Sequence, residues 1–163
     1  MLRKTIVIIG LAFLALGLAG PSVYAESKPV QLSLLAPIQL FNENQPISGI
    51  RLSLLYGKNV AVTGLDWGLV NHTTTGKFAG AQFGLVGLAD SRFVGFQDNF
   101  VNIAKQDFEG FQWGFVNHAH YANGFQLGVV NYAGSMKGLQ IGLVNIIGQG
   151  GQFPVFPIIN WSF

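Results

Sequence analysis

Large apolar residues alternate with small or amide-bearing ones along the second half of the chain, and the alternation repeats as a phrase. In Phe111–Asn117 (FQWGFVN) and Phe125–Asn131 (FQLGVVN) the order is aromatic, Gln, apolar, Gly, apolar, Val, Asn. Related units begin at Gly64, Gly80, Gly95, Gly110, Gly124 and Gly138, at spacings of 16, 15, 15, 14 and 14 residues. Such a drifting period predicts one fixed element per unit, with the variation absorbed in the turns. The two-residue alternation is that of a strand and excludes a helical period. It places Phe111, Trp113, Phe115 and Asn117 on one face and Gln112, Gly114 and Val116 on the other. Leu139, Ile141, Leu143 and Asn145 stand likewise opposite Gln140, Gly142 and Val144.

Three further segments read as flanking strands: Val30–Phe41, interrupted by Pro37; Gly49–Tyr56; and Phe153–Phe163. Short turns such as HAHYAN and YAGSMK separate the units, and no linker or charge block marks a second domain. The expected organisation is a single β-repeat domain over 26–163, with units over about 64–147 between flanking strands 30–57 and 153–163.

An all-β chain of short strands leaves a barrel, a sandwich or a solenoid. A soluble sandwich would carry charge on its second face; here that face holds Gln82, Gln97, Gln112, Gln126 and Gln140 beside Gly68, Gly84, Gly114, Gly128 and Gly142. The expectation is a small closed antiparallel β-barrel of about 8 to 10 short strands, large residues toward lipid and the small amide face lining a narrow interior. Its partners would then be the lipid bilayer and the outer-membrane insertion machinery. The alternative is a parallel β-solenoid with coils of 14 to 16 residues, which would stack Asn71, Asn102, Asn117, Asn131 and Asn145 into an asparagine ladder.

Export enters from the other end of the chain. Arg3 and Lys4, the apolar run from Thr5 to about Ala19 and the small-residue end Val23-Tyr24-Ala25 follow the plan of a signal peptide over 1–25. Its removal takes two of the nine basic residues, leaving seven against seven acids. A formally neutral chain argues against a nucleic-acid partner. Zero cysteine in an exported chain excludes a disulfide framework and leaves stability to pairing and packing.

The repeat units and the chain's last strand each resemble a known pattern. From Gly64 to Asn145 the units G-x-Q-x-G-x-V-N resemble those of a largely uncharacterised bacterial surface-repeat family, most closely at GLQIGLVN (Gly138–Asn145), Gly124–Asn131 and Gly110–Asn117. The flanking QLSLLAPIQLF, GIRLSLLYGKN and PVFPIINWSF are similar to the ends of its short members. Asp66 stands where Gln is expected, Gly87 where Asn is, and Asp98-Asn99 where an apolar residue and Gly are. The alternation that ends in Trp161 and Phe163 resembles the terminal strand of outer-membrane barrels. The resemblances imply an exported, surface or envelope location and carry no activity to transfer.

Candidate chemistry is sparse. His118 and His120 lie two apart, with His72 at the matching end of another unit, but no third ligand or nearby acid completes a metal site. NHTTTGK (Asn71–Lys77) lacks a phosphate loop's first Gly and its final Ser or Thr. GQGGQ (Gly148–Gln152) reads as a turn. Asp66, Asp90, Asp98, Asp107 and Glu109 are scattered, and no serine elbow or cysteine nucleophile is present. Trp67, Trp113 and Trp161 read as lipid-facing or core aromatics.

The sequence therefore predicts no enzyme, cofactor, metal or nucleic-acid partner. It predicts an exported cell-envelope protein in the outer membrane or at the cell surface, an integral barrel with a structural role; the alternative is a secreted or surface-attached solenoid scaffold for adhesion or self-association.

Overall fold

The computed structural model describes residues 26–163, so the expected signal peptide lies outside the described residues. The chain forms β1 (Lys28–Leu35), β2 (Ile38–Gln39), β3 (Ile47–Asn59), β4 (Val62–Thr73), β5 (Phe78–Ala89), the long winding β6 (Phe93–Gln149) and β7 (Val155–Ser162). β1, β3, β4, β5 and the start of β6 pair in parallel, each with the next, and equivalent residues stack: Gly49 on Gly64, Gly64 on Gly80, Gly80 on Gly95. The fold is a β-solenoid, which overturns the closed antiparallel barrel and matches the alternative.

Glycine is the physical reason. The unit-leading glycines Gly64 to Gly138 all have φ between +118° and +144°, where an L side chain is strained. At each, a Cβ would collide with the carbonyl oxygen of the leading glycine one coil earlier. The chain therefore bends in place at every unit and returns above itself, where a meander would have run straight and turned back.

A second bend corrects the face assignment. Gln112 and Asn117 are both fully buried, although five positions apart, while Trp113 and Phe115 are exposed. The turn of the coil near Phe115 and Val116 breaks the alternation, so Asn117 points inward with Gln112 and not outward with the aromatics. Asparagine suits this corner because its amide reaches backbone on two coils. Asn102 Nδ2 donates to the Asn99 carbonyl at 3.2 Å and to the Trp113 carbonyl of the next coil at 2.8 Å.

The interior is a set of columns. One is of larger apolar residues for most of its length (Ile47, Val62, Phe78, Phe93, Phe108, Ala122, Met136) and another is of alanines ending in an isoleucine (Ala89, Ala104, Ala119, Ala133, Ile147), all buried. Phe78 and Phe93 stack with centroids 4.3 Å apart. Between them run two amide ladders that are dry, where the barrel expectation lined a lumen with them.

The ends are closed by the flanking strands. Pro37 falls in the turn between β1 and β2, and β1 lies parallel on β3. The Gly49–Tyr56 segment is a full coil and not a separate flanking strand. β7 runs antiparallel along Gly138–Ile146, so the terminal strand that resembled a barrel's last strand covers the final coil.

Candidate functional site

Each sequence-singled repeat residue has a place in these columns. Gln82, Gln97, Gln112, Gln126 and Gln140 are buried, and each later amide nitrogen donates to the side-chain oxygen one coil earlier, at 2.7–2.9 Å from Gln97 onward. Asn102, Asn117, Asn131 and Asn145 are linked in the opposite sense: each earlier amide donates to the next at 2.8 Å. Two oppositely polarised ladders thus cross the same core, and every bond within a ladder orients the next. Where the ladders stop, Gln140 Oε1 and Asn71 Oδ1 are left without a partner.

Asp66, a departure from the repeat, is answered by Arg51. Arg51 Nε and Nη2 meet the two carboxylate oxygens at 2.7 Å each, Nη1 donates to the His72 carbonyl at 2.9 Å, and both side chains have zero exposure. Gln82 Nε2 donates to the same carboxylate at 2.9 Å, joining the ion pair to the ladder. A buried pair persists only with this degree of geometric satisfaction. The departures at Gly87 and Asn99 answer each other. Gly87 lacks the amide that would donate to Asn102, and Asn99 supplies it, Nδ2 to Oδ1 at 2.7 Å; a Cβ at Gly87 would run into the Gln82 side-chain oxygen and that same Asn99 amide.

The titratable groups gather at the turn edge. His72 Nε2 lies 2.8 Å from the Asp90 carboxylate, which accepts from it, and Nδ1 is hydrogen-bonded to the Tyr56 hydroxyl, also 2.8 Å away. Lys105 completes the chain at 2.7 Å from Asp90. Burial raises the Tyr56 phenol above its ordinary range and keeps it a donor. Burial also works to raise Asp90, but hydrogen bonds from Lys105 and His72 outweigh it and hold the carboxyl below its usual range. This link ties successive coils together and was not read from sequence; the signal was His72 and Asp90 at near-repeat spacing.

The histidine pair does not converge on a site. His118 stacks on Tyr132 with centroids 4.9 Å apart, and His120 is exposed at the turn. Among the described residues no group of three His, Cys, Asp or Glu sits together.

What the columns leave outside is large and apolar. Three outward columns run the length of the coil: Ile50, Leu65, Ala81, Phe96, Phe111, Phe125, Leu139; then Leu52, Trp67, Phe83, Asp98, Trp113, Leu127, Ile141; then Leu54, Leu69, Leu85, Phe100, Phe115, Val129, Leu143. Trp67 is 63 % exposed, Phe100 53 %, Trp113 52 % and Leu143 69 %. Neighbouring rings make contact along the face, as Phe100 and Phe115 do at 5.0 Å. Asp98 is the one charged residue in these columns.

No family model, curated protein or solved structure matches the chain.

Between the second and third columns lies a furrow floored by Ser33, Ser53, Gly68 and Gly84, about 840 Å³ in volume, walled by Leu32, Leu52 and Trp67 on one side and by Leu34, Leu54, Leu69 and Leu85 on the other. It resumes further along as a space of about 520 Å³ over Asn99, Gly114 and Gly128, between Trp113 and Phe115. The glycines of the repeat show only backbone to this furrow; a Cβ on Gly84, Gly114 or Gly128 would meet the preceding coil's carbonyl and the buried asparagine amides, so they relieve crowding in a packed core and not in a lumen. Of the C-terminal pair, Trp161 packs edge-on against Phe153 at 6.3 Å, and Phe163 is exposed.

Proposed function

We propose that the protein is an exported cell-envelope scaffold, secreted or surface-attached, that has no catalytic centre and acts by presenting its apolar face for adhesion or self-association. The observation that carries this reading is the outward set of Trp, Phe and Leu columns, fixed on a core of bonded amides. Rigid, regularly spaced apolar area of this kind exceeds what an unpartnered soluble surface ordinarily exposes. The leader-like Met1–Ala25 segment and the resemblance to surface-repeat proteins support the envelope location. The scaffold needs neither cofactor nor metal, and its neutral charge balance supports no nucleic-acid partner.

Protease shaving of intact cells followed by fractionation tests the location: the expected result is cleavage from outside and recovery with the envelope or medium, and a protected cytoplasmic pool contradicts it. Leu85→Glu together with Phe115→Glu tests the face, with loss of attachment expected at unchanged circular dichroism. Full attachment in that variant would contradict the reading.

A further inference from the structure

Resting on the scaffold reading, we infer that the occupant of the apolar face is a second copy of the same face. Two solenoids would pack sheet on sheet, with the Leu85–Phe100–Phe115 ridge of each lying in the glycine-floored furrow of the other.

Four observations point to this partner. The first is area: roughly ten large side chains about half exposed, at about 150–250 Å² each for the aromatics, leave on the order of 1,000 Å² of apolar surface. A stable interface needs about 800 Å² per partner, so the face is the right size for one copy of itself. The second is commensurability. Ridges and furrow belong to one coil spacing, close to 4.8 Å, and a second copy matches it along the whole length. Face-to-face sheets pack at about 10 Å with side chains interdigitated, and a furrow floored by Gly68, Gly84, Gly114 and Gly128 is open to an opposing ridge.

The third observation is that growth through the ends is obstructed. β7 closes one end in antiparallel sense and contains Pro157, which offers no ladder donor on an edge; the other end finishes in the two-residue β2. Association through the face then closes as an isologous dimer and does not extend as a fibre. The fourth is charge. Lipid would be the rival occupant, but surface-bound proteins of this kind carry excess Lys and Arg beside the apolar face. Here the cations at the turn edge are few, and two of them are already paired, Arg92 with Glu109 at 2.6 Å and Lys105 with Asp90 at 2.7 Å.

Asp98 gives the inference a signature. It occupies the middle rung of its column, with three members on either side. As a wall of the furrow, it is covered by the partner's ridge when the two faces meet, and taking its carboxylate out of water is a penalty inside the contact.

Sedimentation equilibrium of the purified chain, with circular dichroism as the folding control, tests the inference. Wild type is expected to dimerise reversibly, Phe115→Glu to weaken the dimer roughly tenfold or more, and Asp98→Asn to tighten it several-fold. A folded wild type that stays monomeric at every concentration, or a dimer unmoved by Phe115→Glu, would overturn it. Flotation with neutral phosphatidylcholine vesicles is the parallel arm: a monomer that floats overturns the second-copy inference in favour of lipid. If a monomer still attaches to cells, the inference fails and the scaffold reading stands; if a dimer forms but the protein is cytoplasmic, the reverse holds.

Discussion

From Gly110 to Gln149 the coils are near copies, and each buried amide of a ladder meets the same residue on a neighbouring coil. From Ile47 to Ala104 the same interior positions hold Arg51, Asp66, Ser53, Gly57, Gly87 and Asn99, yet the register of strands is kept, with a single bulge between Ser53 and Tyr56. The contrast shows what a ladder requires: complementarity with the next coil and not identity with it. Arg51 answers Asp66, and Asn99 supplies the donor that Gly87 lacks. Ser53 fills the space beside Gly57, where a Cβ would run into its side chain. Ser53 Oγ and Asn71 Oδ1 remain unpartnered, so compensation at Gly57 is by volume alone.

The strongest way to break the compensation is Arg51→Met, which strands the Asp66 carboxylate in the core. It is expected to cost about 3–5 kcal/mol in urea unfolding. Arg51→Gln with Asp66→Gln converts the irregular coils to the regular pattern and recovers most of that loss. A double variant as damaged as the single would refute the pairing.

Next in size is the Gly87 and Asn99 exchange. Gly87→Asn alone overpacks the site and is expected to cost about 1–3 kcal/mol. Asn99→Gly alone leaves Asn102 Oδ1 without that donor. The double variant restores the regular pattern, so a cycle should show a coupling of about 1 kcal/mol or more. Additive losses would mean that the two departures are unrelated.

Much of this was legible in the chain. The strand period, the boundaries of the six units from Gly64 and the departures at Asp66, Gly87 and Asp98-Asn99 all follow from spacing. The direction of return did not, because alternation is the same in a meander and in a coil, and only the positive φ of glycines such as Gly110 separates them. Asn117 was misplaced because strict alternation puts residues five apart on opposite faces, and a corner between them reverses that. Gly49 leads a coil 15 residues before Gly64, with Arg51 in the glutamine place; the spacing was there, but the Arg hid the unit. The outer face was read as lipid-facing from its chemistry, which a self-packing face shares.

The smallest expected effect separates the regular coils by pH. Burial, with His120 adding to it, pushes the His118 imidazole below its ordinary 6.5. The folded state then resists a proton that the unfolded chain accepts, so stability falls as pH drops below about 6.5. Asp90 adds a later loss: with its folded pKa held down, its contribution is present above the ordinary 3.8 and disappears as pH falls below it. In thermal melts across this range, His118→Phe should remove the first decline and leave the second. An unchanged profile would assign the first decline elsewhere.

The central claim is that successive units stack in parallel register. His118 and Tyr132 stand at equivalent places on adjacent coils with rings 4.9 Å apart, while a hairpin would set them at opposite rims, roughly 20 Å apart for six residues at about 3.4 Å each. Paired cysteines at the two positions should therefore oxidise readily to an intramolecular disulfide, because stacked strands bring Cα atoms within bridging range. Phe115→Cys with Phe125→Cys, the pair that a hairpin would bring together on one face, should stay reduced. A disulfide in the second pair and none in the first would contradict the solenoid.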